Sequence, residues 1–434
     1  MFDNEILSPN ERIKKYRVNI LGATQEEISQ GICTITWLSK IENNKRNLTE
    51  SLAVGIAENF NKIVKEKGIN LSIITQEELM QDEDQQANYI FTNNIMKELK
   101  EVKEINVFDE KLLKAEELIE KYNITDDKKI ELYKLSANFY YDKHRYSKSD
   151  YLCDRGLKIS INSQNSFEEI RFYIYKSRIN IFTRNYIKAL QQLSYVEKLN
   201  SDIVDNELSI MMLYYKATTY KKLKEYDTAL KYFKILKQFE INDYKMFLRV
   251  KMNHSNCLND YHKFDEAEKE YKEILSIAMK YDDKNLIAQA YRNLSELYFN
   301  KKEYKPAAMH IKESLSYNPN NEDIGETLYF ASKVLQNLNE EVETYLLQAL
   351  DVCEQKDREK LNLIEKILYE LVLIYIKKEN EKEIILMADK SKALNIDYSL
   401  IYSEIGAYYR GRNEEKSIYF YKKSREKMKQ IKGI

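Results

Sequence analysis

One spacing constrains this chain more than any other feature. An aromatic follows a short polar turn at Tyr146, Tyr186, Tyr226, Phe264 and Tyr304, at intervals of 40, 40, 38 and 40 residues. Nine positions before each aromatic stand Ala137, Ser177, Ala217, Ser255 and Ser295, and three positions after it come Ser149, Ala189, Ala229, Ala267 and Ala307. Small residues in all ten places express a packing need. Two antiparallel helices approach closely only where their crossing carries a minimal side chain, and the aromatic fills the space at the turn. The 434 residues include only 9 glycines and 3 prolines, too few for the turns of a sheet protein of this size. The chain therefore reads as all-α.

A small residue, a turn aromatic and a second small residue together resemble the tetratricopeptide repeat. Asn318-Pro319, just past the last of these units, fits that repeat's helix-stopping proline. The period exceeds the usual length of about 34 residues, so each helix is expected to be a little longer than average. After residue 320 the pattern weakens. LYFASKVLQNLNEEVETYLLQAL and LYELVLIYIKKENEKEIILMA read as two degenerate units, and GAYYRGRNEEKSIYFYKKS (406 to 424) as one more with a shorter turn. FDEKLLKAEELIEKYN (108 to 123) reads as the second helix of an incomplete first unit. The expectation is about eight helical hairpins.

Such stacked pairs form a right-handed superhelix whose concave face is lined by the first helix of each repeat. Counting back from each turn aromatic places Lys134, Asn138 and Tyr141 inward, then Arg171, Ile174 and Arg178, then Tyr214, Thr218 and Lys221. The next two repeats contribute Arg249, Met252, Asn256 and Asn259, then Gln289, Arg292 and Glu296. Asparagine can donate to and accept from a peptide main chain, arginine can clamp a carboxylate, and Met, Tyr and Ile can line apolar pockets. From this set Asn138, Arg171, Arg178, Tyr214, Thr218, Arg249, Met252, Asn256, Asn259 and Arg292 are the candidate peptide-binding residues. The alternative is that they form only the solvated face of a solenoid.

Residues 1 to 68 have a different texture. NERIKKYRVNIL is an amphipathic first helix, and Thr24 with Glu27 forms a capping box for a second helix, QEEISQ, that ends near Gly31. A third helix runs from Thr34 to about Glu42, and Ser51 to Ile63 forms a further amphipathic helix. Two short helices joined by a tight glycine-bearing turn suit a DNA-reading helix-turn-helix. Ile32, Leu38 and Ile41 are placed to pack on the second helix, leaving Thr34, Thr36, Trp37 and Lys40 largely on the opposite side. Trp37 is the chain's only tryptophan. It either stacks on sugar or touches thymine methyls, or lies tucked under the domain. Gln25 opens the second helix, where a phosphate can be gripped, while Arg12, Lys14, Lys15, Arg17, Lys45 and Arg46 form a local basic rim. The DNA-binding candidates are Arg17, Gln25, Thr34, Thr36, Trp37, Lys40, Lys45 and Arg46. Residues 69 to 105 read as a linker helix, and 106 to 434 as the repeat domain.

TQEEIS, GIC and LSKIENNKR are similar to the Cro/repressor-type domain of the RRNPP family of peptide-sensing regulators (Rap, Rgg, NprR, PlcR, PrgX). ISQGIC followed by IE resembles its PlcR/NprR branch, and clostridial RstA-type members are among the forms it resembles. The repeat array follows in the same domain order, so the resemblance spans nearly the whole chain. It implies a cytoplasmic homodimer, paired through its repeats, that binds a short signalling peptide in the concave groove and double-stranded operator DNA through the N-terminal domain. In that family groove asparagines hold the peptide main chain, which points here to Asn138, Asn256 and Asn259. Arg178 and Glu296 stand where other repeats carry Asn or Thr, implying a different peptide chemistry.

Several classes are disfavoured. The net charge of −1 calls for neither nucleic acid nor membrane across the whole chain, so a DNA site must be a local patch. No apolar run approaches a membrane span, and the N-terminal residues lack a signal-peptide core. Cys33, Cys153, Cys257 and Cys353 are far apart and read as free thiols. His144, His254, His262 and His310 show no metal-ligand spacing, and no glycine-rich phosphate cradle occurs. The expectation is a peptide-responsive transcription regulator with no metal, cofactor or enzymatic activity. Its rivals are a Rap-like repeat scaffold that grips a signalling protein, and a phage or plasmid peptide receptor.

Overall fold

The computed structural model describes residues 5–203, 205–317, 323–355 and 360–432, and every regular element among them is helical. Two compact units divide the chain, Met1–Thr219 and Tyr220–Ile434.

The first unit opens with α1 (Pro9–Lys15), continued by a π-turn over Tyr16–Ile20. It goes on to α2 (Gln25–Ser29), α3 (Ile35–Glu42), α4 (Glu50–Glu66) and α5 (Gln76–Met80). Local chemistry starts these helices. Ser8 and Glu11 form a capping box at α1, Thr24 and Glu27 form another at α2, and the Thr34 hydroxyl caps α3 by accepting from the Trp37 amide. Helices as short as α2 and α3 are not stable alone in water. They persist because Ile13, Tyr16, Ile28, Leu38, Ile41, Ile56 and Phe60 form one buried core. Gly31 turns the chain between α2 and α3 at φ +76°, a left-handed conformation that a Cβ disfavours.

The expected linker helix over 69–105 is not one helix. Residues 69–75 have no regular structure, α5 follows, and the chain breaks at Gln81 before α6 (Glu83–Ile90). A π-turn over Phe91–Ile95 leads into α7 (Met96–Glu101), and then comes α8 (Ile105–Lys121). The segment is split because each part buries apolar residues in a different core. Ile74 and Leu79 join the N-terminal one, while Phe91, Met96 and Leu99 join that of the repeats with Phe108, Tyr133 and Tyr140.

Helix pairs then succeed one another along the chain. They are α9 (Asp126–Asp142) and α10 (Tyr146–Asn162), and α11 (Ser166–Phe182) and α12 (Tyr186–Ile203); α13 (Asn206–Lys222) and α14 (Tyr226–Leu236) come next in the chain. The division between the units falls within α13. The second unit continues with α15 (Tyr244–Asp260) and α16 (Phe264–Lys280), α17 (Lys284–Asn300) and α18 (Tyr304–Tyr317), and α19 (Ile324–Gln336) and α20 (Glu343–Gln355). It ends with α21 (Leu361–Lys377) and α22 (Glu381–Ala393), then α23 (Ser399–Tyr409) and α24 (Glu414–Lys432). Among the described residues the helices follow the tetratricopeptide-like order expected, with seven pairs inside the two units and α13 and α14 in sequence at the division. Asn318 and Pro319 lie outside the described residues.

The repeat signature has a direct structural meaning. Each turn aromatic is the first residue of a second helix. All ten small residues are fully buried. The Ser149 hydroxyl donates to the Ala137 carbonyl at 2.7 Å, and the Ser295 hydroxyl to the Ala307 carbonyl at the same distance, so the small positions meet across the helix crossing. Ser417 repeats the contact by donating to the Gly406 carbonyl at 2.8 Å, which makes α23 and α24 a true repeat despite the missing turn aromatic.

Candidate functional site

The exposed side of α3 carries what the sequence placed there. Thr34, Thr36 and Lys40 are exposed, as are Lys45 and Arg46 beyond its end. Trp37 is 40% exposed, with the Arg46 guanidinium 3.9 Å above its ring. The indole is thus held at the surface, not tucked under the domain. Asn10 donates to the Arg46 carbonyl at 2.9 Å, which ties the loop bearing Arg46 to α1. Ile35, 46% exposed, shares this face. It escaped the sequence reading because a helix's first apolar residue usually points to the core.

Two of the candidate DNA contacts are engaged elsewhere. Arg17 meets the buried Glu42 carboxylate at 2.6 and 2.8 Å and also donates to the Ala23 carbonyl, while the Gln25 amide donates to Glu42 at 2.7 Å. A paired, largely buried guanidinium is costly to withdraw, so Arg17 joins α1 to α3 instead of forming a phosphate rim. Arg12 is likewise internal, donating to the Leu7, Glu78 and Gln81 carbonyls. Burial lowers its pKa, with the Glu78 carboxylate opposing. The basic rim thus shrinks to exposed Lys14 on one side and Lys40, Lys45 and Arg46 on the other.

In the first unit, side chains tie the first helices of neighbouring repeats together. Lys134 on α9 meets Glu168 on α11 at 2.5 Å, and Arg171 on α11 lies 3.3 Å from Glu207 on α13. Arg178 donates to the Asn138 side-chain carbonyl at 2.7 Å, and the Asn138 amide donates to the Tyr175 hydroxyl at 3.1 Å. The Arg178 guanidinium also stacks 3.6 Å from the centre of the Tyr141 ring and 5.0 Å from that of Tyr175. Tyr214 is buried, and the Thr218 hydroxyl donates to its carbonyl at 2.8 Å. Tyr214 is thus packed inside the repeats, contrary to the expectation, while Thr218 stays half-buried.

The second unit has its own ladder. Asn293 on α17 donates to Asn256 on α15 at 3.1 Å and to the Met252 sulfur at 2.9 Å. Asn256 also accepts from the Tyr271 hydroxyl at 2.6 Å. Asn259 is buried and accepts from Asn300 at 3.3 Å, so it too belongs to the fold. Arg292 lies 3.7 Å from Glu326, and Arg249 is exposed. Asn293 was missed by counting because it falls one position beyond the positions taken as inward. Beside α14 a cleft of about 600 Å³ is lined by Phe233, Leu236, Phe247 and Val250 with His254 and Glu270.

None of the four cysteines forms a disulfide, and no group of three or more His, Cys, Asp or Glu among the described residues could hold a metal ion. No described helix is long and apolar enough to cross a membrane.

No family model matches the chain. The regulatory protein RapK of Bacillus subtilis (strain 168) is 26% identical over 272 residues, which cover 61% of this chain and 69% of RapK. This match supports the RRNPP family. Solved structures are similar to the chain at lower identity. The apo form of the quorum sensor NprR from B. thuringiensis is 15% identical, covering 79% of this chain and 98% of NprR with a TM-score of 0.48. Bacillus thuringiensis PlcR, solved in complex with the peptide PapR7 and DNA, is 17% identical, covering 75% of this chain and 98% of PlcR with a TM-score of 0.33. RapK is a regulatory protein.

Proposed function

We propose that this chain is a peptide-responsive transcription regulator. It reads operator DNA with α3 and holds a short signalling peptide on the first-helix face of its repeats. The observation that carries the reading is Trp37. An indole 40% exposed, braced by Arg46, forms with the 46% exposed Ile35 an apolar patch rimmed by Thr36 and Lys40, the kind of surface that marks an interaction site. A short helix presenting one aromatic, one hydroxyl and several cations suits the major groove, where cations meet phosphate and apolar groups meet thymine methyls. The polar first-helix ladders, with Arg178, Asn138, Asn256 and Asn293, suit a peptide main chain and its charged groups. Homodimer formation, which would pair two copies of α3 on a palindromic site, belongs to the same reading.

Fluorescence of the single tryptophan tests it. Sheared genomic DNA is titrated into the full chain at low and then moderate salt, and retained fragments are sequenced. The reading expects a Trp37 change at both salts and recovery of discrete fragments that Lys40→Ala weakens. Retention of no sequence in particular, lost at moderate salt, would overturn it. The RapK match favours a second reading, a repeat scaffold that binds a signalling protein. That reading expects no discrete fragment in this assay, with or without peptide.

A further inference from the structure

We infer that Arg178 is the anchor for a carboxylate of the bound peptide, so that the ligand of the first unit is a peptide carrying an anionic group there. The inference rests on the peptide-binding reading above and deepens it. Within the first unit, which ends at Thr219, the cations counted onto the first-helix face are Lys134, Arg171 and Arg178, and the first two are already neutralised. Lys134 is paired with Glu168 at 2.5 Å, and Arg171 lies between Glu168 at 3.6 Å and Glu207 at 3.3 Å. Arg178 has no carboxylate within ion-pair distance among the described residues, and its one hydrogen-bond partner is the neutral Asn138. Its Nε is buried without a partner.

The guanidinium is nonetheless held rigidly. Tyr141 and Tyr175 stack on it, Asn138 fixes one Nη, and Tyr175 in turn fixes Asn138. A flexible surface arginine would be paired or solvated in many rotamers. One resting on Tyr141, close to Tyr175 and bonded to Asn138, with donors to spare, has already lost that freedom, which lowers the entropy cost of taking up a ligand carboxylate. Arginine presents a forked pair of N–H donors that matches a carboxylate in charge and geometry. The surrounding rings exclude water, which strengthens the pair. A cationic ligand group would meet unbalanced positive charge at this point. Two sources share this chemistry, the peptide's C-terminus and an Asp or Glu side chain.

Three pools of synthetic N-acetylated heptapeptides decide the matter on the full-length protein, read by affinity selection. The first pool is C-terminally amidated and lacks Asp and Glu. The second is the same with a free C-terminus, and the third is amidated with one Asp at varied positions. Retention of the second or third pool over the first is expected, and which of them is retained names the source. Arg178→Gln should lower that retention roughly thirtyfold, with Arg178→Lys recovering part of it. Equal retention of all three pools overturns the anchor and leaves peptide binding standing. So does an Arg178→Gln protein that melts like the wild type and keeps its preference. Retention of no pool by the wild type overturns peptide binding and the anchor with it. The wild-type comparison stands even if the variant fails to fold.

Discussion

Single residues show how little slack the repeat core has. Gly156 lies in α10 with the buried Phe172 ring against it, and a Cβ there would fall inside that ring. Alanine is worth about 1 kcal/mol more than glycine in a helix interior, but overpacking a rigid site costs about 1–3 kcal/mol. Phe172 is fully buried in a close-packed core, which leaves its ring little room to retreat. Gly156→Ala is therefore expected to lower stability in urea unfolding, and a gain would show that the ring can move. Glu270 makes a pH prediction. Burial would raise its pKa, but hydrogen bonds from His254 and Lys237 outweigh burial and hold it at about 2, against 4.5 unperturbed. A carboxyl depressed in the folded state contributes stability that is complete above its unfolded pKa and is lost as pH falls toward its folded one. Between pH 4.5 and about 2 the protein should lose on the order of 3 kcal/mol through this group. Unfolding midpoints of Glu270→Gln over that window should fall less steeply than those of the wild type; parallel slopes would refute the assignment.

Whole elements obey the same economy of space. Two residues before each turn aromatic the backbone is left-handed, at His144, Arg184, Lys224, His262 and Lys302, with φ from 56° to 64°. These are C-terminal helix caps without the glycine that would signal them. Side chains there carry strain of about 1 kcal/mol, so Lys224→Gly is expected to raise stability by about 0.5–1 kcal/mol, measured by thermal unfolding. Lys224→Ile should lower it. The one 38-residue interval in the repeat spacing also has an origin at this scale. Helix α14 ends at Leu236 after 11 residues where α10 and α16 run for 17, and the chain returns through residues 237–243 past the cleft beside it. The interval was visible in the sequence. Its cause was not, since KYFKILKQFEIND contains no glycine or proline to mark the stop.

At the scale of the molecule, the connection between the N-terminal helices and the repeats matters most to the proposed function. Arg12 on α1 gathers the Leu7, Glu78 and Gln81 carbonyls, and the Gln86 side chain bonds both ways to the Leu7 backbone. The chain before α1 and the chain after α5 are thus held as one joint, within the first compact unit. Arg12→Met keeps the bulk but strands the Glu78 carbonyl, at a cost of about 1–3 kcal/mol, and leaves the Leu7 and Gln81 carbonyls to Gln86 alone. Faster protease cleavage between residues 67 and 82, with repeat helicity unchanged by circular dichroism, is the expected outcome. Unchanged cleavage would mean that Gln86 alone holds the joint.

The sequence by itself determined the all-helical class, the repeat boundaries, the caps at Thr24 and Thr34, and the outward face of α3, because each follows from periodicity or from contacts a few residues apart. Tertiary structure alone decided which charges remain available. Arg17 and Arg46 look alike in sequence, yet one is drawn to Glu42, 25 residues away, and the other rests on Trp37. Likewise Asn259 is buried against Asn300, 41 residues away, while Arg178 rests on Tyr141 with no carboxylate partner among the described residues. An ion pair or side-chain amide bond depends on two positions brought together by packing, and no local pattern encodes that meeting.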